Sequence, residues 1–348
     1  MTACAACLMA TGCPPREKDP VSTTDSNSTK PAVADTGLKT DPLRLELEDA
    51  GYFAPESRKI DRESPVMLTL AVKGLPVAGN WKSDPILADI NGDGFLDLAA
   101  LSRLGEGPRV WLGDGGKSWR ESSQGLKYGE ECCGGGVALG DINHDGHLDL
   151  AIGDHCHGGW VYFGDGTGKW ELAAKNIYPA EISKGDRGTY LGAEDMDLGD
   201  LNGDGHLDMV MPASDDGGIN VFLGDGRGTN EGWHWHDSAL PKTSFAKRAS
   251  FVDINEDGFL DVLASAEHGP RVWLGDGRGG LTPASDGLPD PIYGGFYNGH
   301  DVADFNGDGL LDILAANWAD GPEVYLQQAN GSWAKSKDAF PQMVGGAY

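Results

Sequence analysis

Five times along this 348-residue chain, carboxylates, a carboxamide and a glycine recur in one nine-residue order, Asp-x-Asn-x-Asp-Gly-x-x-Asp. The first copy places side-chain oxygens at Asp89, Asn91, Asp93 and Asp97. The others place them at Asp141, Asn143, Asp145 and Asp149; Asp200, Asn202, Asp204 and Asp208; Asp253, Asn255, Asp257 and Asp261; and Asp304, Asn306, Asp308 and Asp312. Glycine at the sixth position, as at Gly94, lets the backbone reverse tightly. The seventh residue (Phe95, His147, His206, Phe259 or Leu310) need lend only its backbone carbonyl, so its side chain is read as a free choice. Alternate oxygens plus one carbonyl meet the six to eight oxygen ligands that Ca²⁺ takes, whereas Mg²⁺ would keep more water. Without a cation, three carboxylates per loop would repel one another. The spacing therefore predicts about five bound Ca²⁺, one per loop. An EF-hand is excluded, because its twelfth residue is glutamate and here it is Ala100, Ile152, Met211, Ala264 or Ala315.

A second group of reactive side chains is Cys132, Cys133 and Cys156, with His155 and His157 beside the last. Folding the chain back at the loop around Asp145 sets Cys133 within about a residue of Cys156 on the neighbouring antiparallel strand, so a Cys133–Cys156 disulfide fits. A vicinal Cys132–Cys133 bridge and a Zn or Cu site are the alternatives. The chain holds no serine elbow, P-loop or HExxH motif to support a particular reaction.

The elements that must carry these groups are short strands. Every acidic loop runs into an apolar stretch (LDLAAL, LDLAIG, LDMVMP, LDVLAS, LDILAA), then a second one, which ends in Gly-Asp-Gly in four of the five copies. Asp-Gly populates the positive-φ turns that join antiparallel strands. Spacings of 52, 59, 53 and 51 residues between loop starts suit a unit of propeller-blade size. The chain is thus expected to be all-β, a β-propeller of four-stranded blades. The terminal stretch AFPQMVGGAY matches GLPDPIYGGFY before the fifth loop, so Met343 to Tyr348 read as an inner strand. PLRLELED, the segment 57–60 and VMLTLAVKGLP at 66–76 read as its partners. Six blades are expected, five with loops and one metal-free blade shared by both termini; five blades is the alternative.

The Asp-x-Asn-x-Asp-Gly-x-x-Asp loop, the LDL-type strand and the Gly-Asp-Gly hairpin resemble the FG-GAP/VCBS repeats of integrin-α-like propellers, over roughly residues 75–348. That resemblance implies that the loops join the two inner strands of each blade on one face and act mainly as structural staples. The opposite face would then carry a group suited to a glycan or a protein ligand: Trp81, His155, His157, Tyr190, His268, Tyr293, Tyr297, His300 and Trp318. Rings cover an apolar sugar face while polar neighbours take the hydroxyls.

A net charge of −27 argues against nucleic acid or an anionic membrane surface as partner. Residues 14–42 are rich in Pro, Ser, Thr, Asp and Lys and read as a disordered tether, leaving 43–348 as the propeller. Residues 1–13 end an apolar run in Gly12-Cys13 and resemble a lipoprotein signal with Cys13 as the lipidated residue; a secretory signal is the alternative. The expectation is an extracytoplasmic, cell-surface adhesion or recognition module. Its rival is a polysaccharide lyase or hydrolase using Tyr293, His300 or Glu267 as acid and base.

Overall fold

A computed structural model describes residues 72–337 apart from 77, 80, 103–106, 117, 128–133, 156, 179–191, 214–216, 243–244, 267, 290–296 and 319–320. Twenty strands make five antiparallel sheets of four, each strand pairing with the next in sequence. The first blade holds β1 (Trp81–Ala88), β2 (Asp97–Ser102), β3 (Pro108–Gly113) and β4 (Trp119–Glu121). The second holds β5 (Gly134–Gly140), β6 (Asp149–Asp154), β7 (Gly158–Gly164) and β8 (Trp170–Ile177). In the third, β9 (Asp197–Gly199), β10 (Asp208–Pro212) and β11 (Ile219–Gly224) lead through a 3-10 turn, Asn230–Gly232, to β12 (Trp233–His236). The fourth comprises β13 (Ala246–Val252), β14 (Asp261–Ala266), β15 (Gly269–Gly275) and β16 (Leu281–Pro283). The fifth comprises β17 (Tyr297–Ala303), β18 (Asp312–Asn317), β19 (Gly321–Gln327) and β20 (Trp333–Lys335). Among the described residues no helix is long and apolar enough to cross a membrane.

The second strand of a blade is buried on both faces, which is why its sequence runs apolar instead of alternating. All six residues of β6 and all five of β10 are buried. The core accordingly lies in seams between blades. Ala99, Leu101 and Val110 of the first blade pack on Leu150, Ile152 and Tyr162 of the second. Ala151 and Val161 meet Met209, Met211 and Phe222, Val210 and Val221 meet Ala249, Val262 and Ala264, and Leu263 and Val272 meet Ile313, Ala315 and Tyr325. No blade buries its apolar face alone.

Backbone bonds reinforce this order. The segment entering a blade pins that blade's outer strand: Trp119 N–H donates to Lys73 O (2.8 Å), Trp170 N–H to Gln124 O (2.9 Å) and Trp333 N–H to Asp286 O (2.8 Å).

Among the described residues five sheets answer to five loops, which is the five-blade alternative and not the six blades expected from the terminal sequences. Met343–Tyr348, PLRLELED, the segment 57–60 and residues 66–71 lie outside the described residues, as do the tether and Cys13.

Candidate functional site

The acidic loops join the first and second strands of every blade, and the register closes each on itself. The ninth residue opens the second strand opposite the residue just before the loop: Asp97 faces Ala88, Asp149 faces Gly140, Asp208 faces Gly199, Asp261 faces Val252 and Asp312 faces Ala303. Glycine at position six takes the positive φ that the reversal requires, 87° at Gly94 and 91° at Gly258.

Within each loop, backbone N–H groups gather the side-chain oxygens. Asp93 N–H lies 3.0 Å from Asp89 Oδ1 and 2.9 Å from Asn91 Oδ1. The same two oxygens meet the amides of Asp145, Asp204, Asp257 and Asp308, at 2.8 to 3.2 Å. Asp89 Oδ2 takes Gly94 N–H at 2.8 Å, and Asp93 Oδ1 takes Phe95 N–H at 2.9 Å. The side-chain donor set is oxygen throughout, exposed at position five, half-buried at positions one and three in four of the five loops, and buried at position nine. These residues fit Ca²⁺, with the first, third, fifth and ninth side chains and the seventh carbonyl as holders.

The ninth aspartate does more than the spacing suggested. Asp208 is fully buried; its Oδ2 accepts Leu201 N–H (2.9 Å) and its Oδ1 accepts Gly224 N–H (2.9 Å), tying the loop to the end of the third strand. Asp97, Asp149, Asp261 and Asp312 repeat the latch with Gly113, Gly164, Gly275 and Gln327. Burial pushes Asp149 and Asp208 up to about 6 against the lowering pull of these amides, and raises Asp97, Asp261 and Asp312. A divalent cation beside them would offset that cost of holding the anion.

Position seven is not the free choice the sequence implied. A Cβ added at the second glycine of each Gly-Asp-Gly would fall 2.8 Å from the Phe95 ring at Gly115, 2.3 Å from His147 at Gly166, 2.6 Å from His206 at Gly226 and 2.2 Å from Phe259 at Gly277. The ring lies on the hairpin of its own blade. Where the fifth blade replaces Gly-Asp-Gly by Gln327-Gln328-Ala329, position seven is Leu310 and no longer a ring. This pairing was legible in the sequence as a covariation between blades.

Antiparallel pairing puts the turns between second and third strands at the other end of each blade. His155, His157, His268 and Trp318 occupy such turns, and Trp81 and Tyr297 open β1 and β17 at the same end. Tyr190, Tyr293, Glu267, Cys132, Cys133 and Cys156 lie outside the described residues, so the disulfide does too. The described candidates differ in kind. Trp318 is 51% exposed, while Trp81 packs edge-on against Trp111 at 5.4 Å. His157 is anchored by Nδ1 to Asp154 Oδ1 at 3.2 Å.

His155 contacts Glu194, whose carboxylate is almost wholly buried, and Glu194 is also bonded to Lys247. One cluster thereby joins the second, third and fourth blades. Lys247 carried no signal in the sequence, since a lysine on a strand pairs across a distance that no local pattern reports.

Two candidates are corrected by burial. His300 sits mid-strand and is 7% exposed, its Nε2 3.0 Å from Ser250 Oγ and its Nδ1 2.8 Å from Ser265 Oγ. It pegs the fifth blade to the fourth, and burial, with Arg248 adding to it, lowers its pKa to about 3. Tyr297 is buried with its hydroxyl donating to Glu323 Oε2 at 2.8 Å, in a network that includes Tyr325, Asn317 and Lys335. Burial pushes Tyr297 up to about 12.

The model of the FG-GAP-like repeat matches the chain in overlapping stretches at residues 89–152, 141–211, 200–264, 253–315 and 304–348. Cartilage acidic protein 1 of Homo sapiens and that of Mus musculus are each 30% identical to it over 105 residues, 29% of this chain and 16% of theirs. The match therefore spans only a minor part of the length of these curated relatives. Among solved structures, an Agrocybe aegerita protein described as recognising non-reducing terminal N-acetylglucosamine is 19% identical at a TM-score of 0.45, covering 72% of this chain and 64% of that one. A Lactobacillus plantarum protein is 12% identical at 0.46, covering 66% and 62%.

Proposed function

Because the chain belongs to the FG-GAP-like repeat family and folds as a β-propeller of four-stranded blades, we propose that it is a calcium-stapled module that binds a glycan at the blade end away from the acidic loops. The observation that carries this reading is the His155–Glu194–Lys247 cluster, where side chains of three consecutive blades meet at that end. A buried carboxylate in contact with His155 and bonded to Lys247 is fixed in orientation, and such fixed polar groups, with the exposed ring of Trp318 at the same blade end, suit a hydroxyl-rich ligand. The alternative ligand is a surface protein. Catalysis draws no support from His300, which is neutral at physiological pH and closed in by two serines.

The test is a glycan array probed with calcium-loaded protein, each retained glycan then being incubated and checked for cleavage. Retention that Trp318→Ala weakens with unchanged melting, and that Lys247→Ala, which removes a partner of the buried Glu194 and lowers melting, weakens at a temperature where it stays folded, supports the reading. No retained glycan, or retention indifferent to both substitutions, sinks it, and cleavage moves the protein to the enzyme class. The proposal extends to a cell-surface setting, with residues 14–42 as tether and Cys13 as lipid attachment. Cys13→Ala should then release the protein from the membrane fraction, and an unchanged distribution removes the anchor.

A further inference from the structure

At the loop end of the molecule, the second and third blades touch through two histidines. His144 Nε2 lies 2.8 Å from His206 Nδ1, with the ring centroids 5.0 Å apart and the planes at 61°. The nitrogens thus face one another across the blade boundary. One imidazole donates its N–H and the other accepts with its lone pair, so two lone-pair sites are aimed at the space that one proton occupies.

The backbone at His144 follows its place in the loop. Position four of the loop has positive φ in all five copies, and three satisfy it with glycine: Gly92 at 70°, Gly203 at 73° and Gly307 at 78°. His144 at 61° and Glu256 at 57° adopt it with a side chain, a conformation that L-residues rarely take and that the loop imposes at this position. Its side chain crosses to the neighbouring loop. His206, at position seven, gives the backbone carbonyl to its own loop while its ring lies against Gly226 beside His144.

We propose that His144 and His206 form a binding site for a borderline divalent transition ion such as Zn²⁺, distinct from the oxygen-lined calcium loops. Imidazole nitrogen is a preferred ligand for Zn²⁺, Cu²⁺ and Ni²⁺ and a poor match for Ca²⁺. A zinc ion takes nitrogen at about 2.0–2.1 Å, so it takes the place of the shared proton, which passes through solvent to the donor ring's other nitrogen, once the exposed His144 and half-buried His206 rings part and turn slightly. Water completes the tetrahedron, which leaves the site open and weaker than a closed three- or four-ligand site. Binding clips the second blade to the third.

Sister blades supply the conservative substitutions. His144→Gly installs the residue that three loops already use at that φ, and His206→Phe installs the ring that rests on the hairpin glycine in the first and fourth blades. Zn²⁺ is titrated by calorimetry into wild type and these variants with calcium in large excess, so that the carboxylate loops do not take up zinc. His147→Phe, a ring exchange outside the pair, is the control. Wild type and the control should bind one Zn²⁺. Each of the other two should bind it about 10–100-fold more weakly or not at all, with unchanged melting and calcium content. Equal zinc binding by wild type and the His144→Gly/His206→Phe double variant, including none by either, overturns the assignment.

Discussion

At the scale of single residues, two aspartates of one loop should fail in different ways. Asp204→Ala removes an exposed oxygen, so the expected loss is about one bound Ca²⁺ and the stability that this ion supplies. Asp208→Ala also leaves the buried Leu201 and Gly224 amides without acceptors, at about 1–3 kcal/mol for each. In chelator, therefore, Asp204→Ala should melt like wild type and Asp208→Ala well below it; equal melting of the two would reduce the ninth residue to a ligand alone. His300 yields a pH prediction. Its folded pKa, about 3, lies below the ordinary value, so the stability from holding it neutral is complete above about pH 6.5 and is lost as pH falls toward 3. The slope is at most about 1.4 kcal/mol per pH unit. Urea unfolding at several pH values should show this decline in wild type and a flatter profile in His300→Asn.

At the scale of elements, the hairpin and the loop of a blade depend on each other. Gly277 takes φ 66° and an added Cβ would lie 2.2 Å from the Phe259 ring. Gly277→Ala should cost about 1–3 kcal/mol through overpacking, besides backbone strain. Part of that cost should vanish when Phe259→Leu is combined with it; a double-mutant cycle with no coupling would separate ring from hairpin. The strands and loops themselves were legible because their signals are local: nine residues spell the loop, and Asp-Gly spells the turn. Burial of His300 between Ser250 and Ser265, and the pairing of Lys247 with Glu194, were not. Each joins residues 35 or more apart in the chain, and a polar side chain near a turn reads alike whether it meets solvent or a neighbouring blade. The blade count failed for a related reason, since the terminal repeat of one strand's sequence said nothing about hydrogen-bonded partners.

At the scale of the molecule, charge and calcium are coupled. The chain carries −27, and filling about five loops would bring it near −17. Chelation should restore the repulsion and remove a ligand that binds only the native state, so the melting temperature should drop strongly and rise again when calcium is returned. Elemental analysis should find about five Ca²⁺ per chain. Melting within a degree or two with and without chelator would deny the loops a stabilising role.

The apolar clusters that lie between blades also set what happens when the chain is cut. A protease reaches exposed turns such as Gln328–Gly331, yet the strands on either side of that turn stay paired, β19 with β18 and β20 with β19. Neither new end carries a separable domain, because every core belongs to two neighbours at once. A single nick should therefore pass unnoticed in size-exclusion chromatography and appear only on a denaturing gel. Wear at the turns would accumulate silently, and the molecule would be lost in one step when a seam opens instead of being trimmed blade by blade.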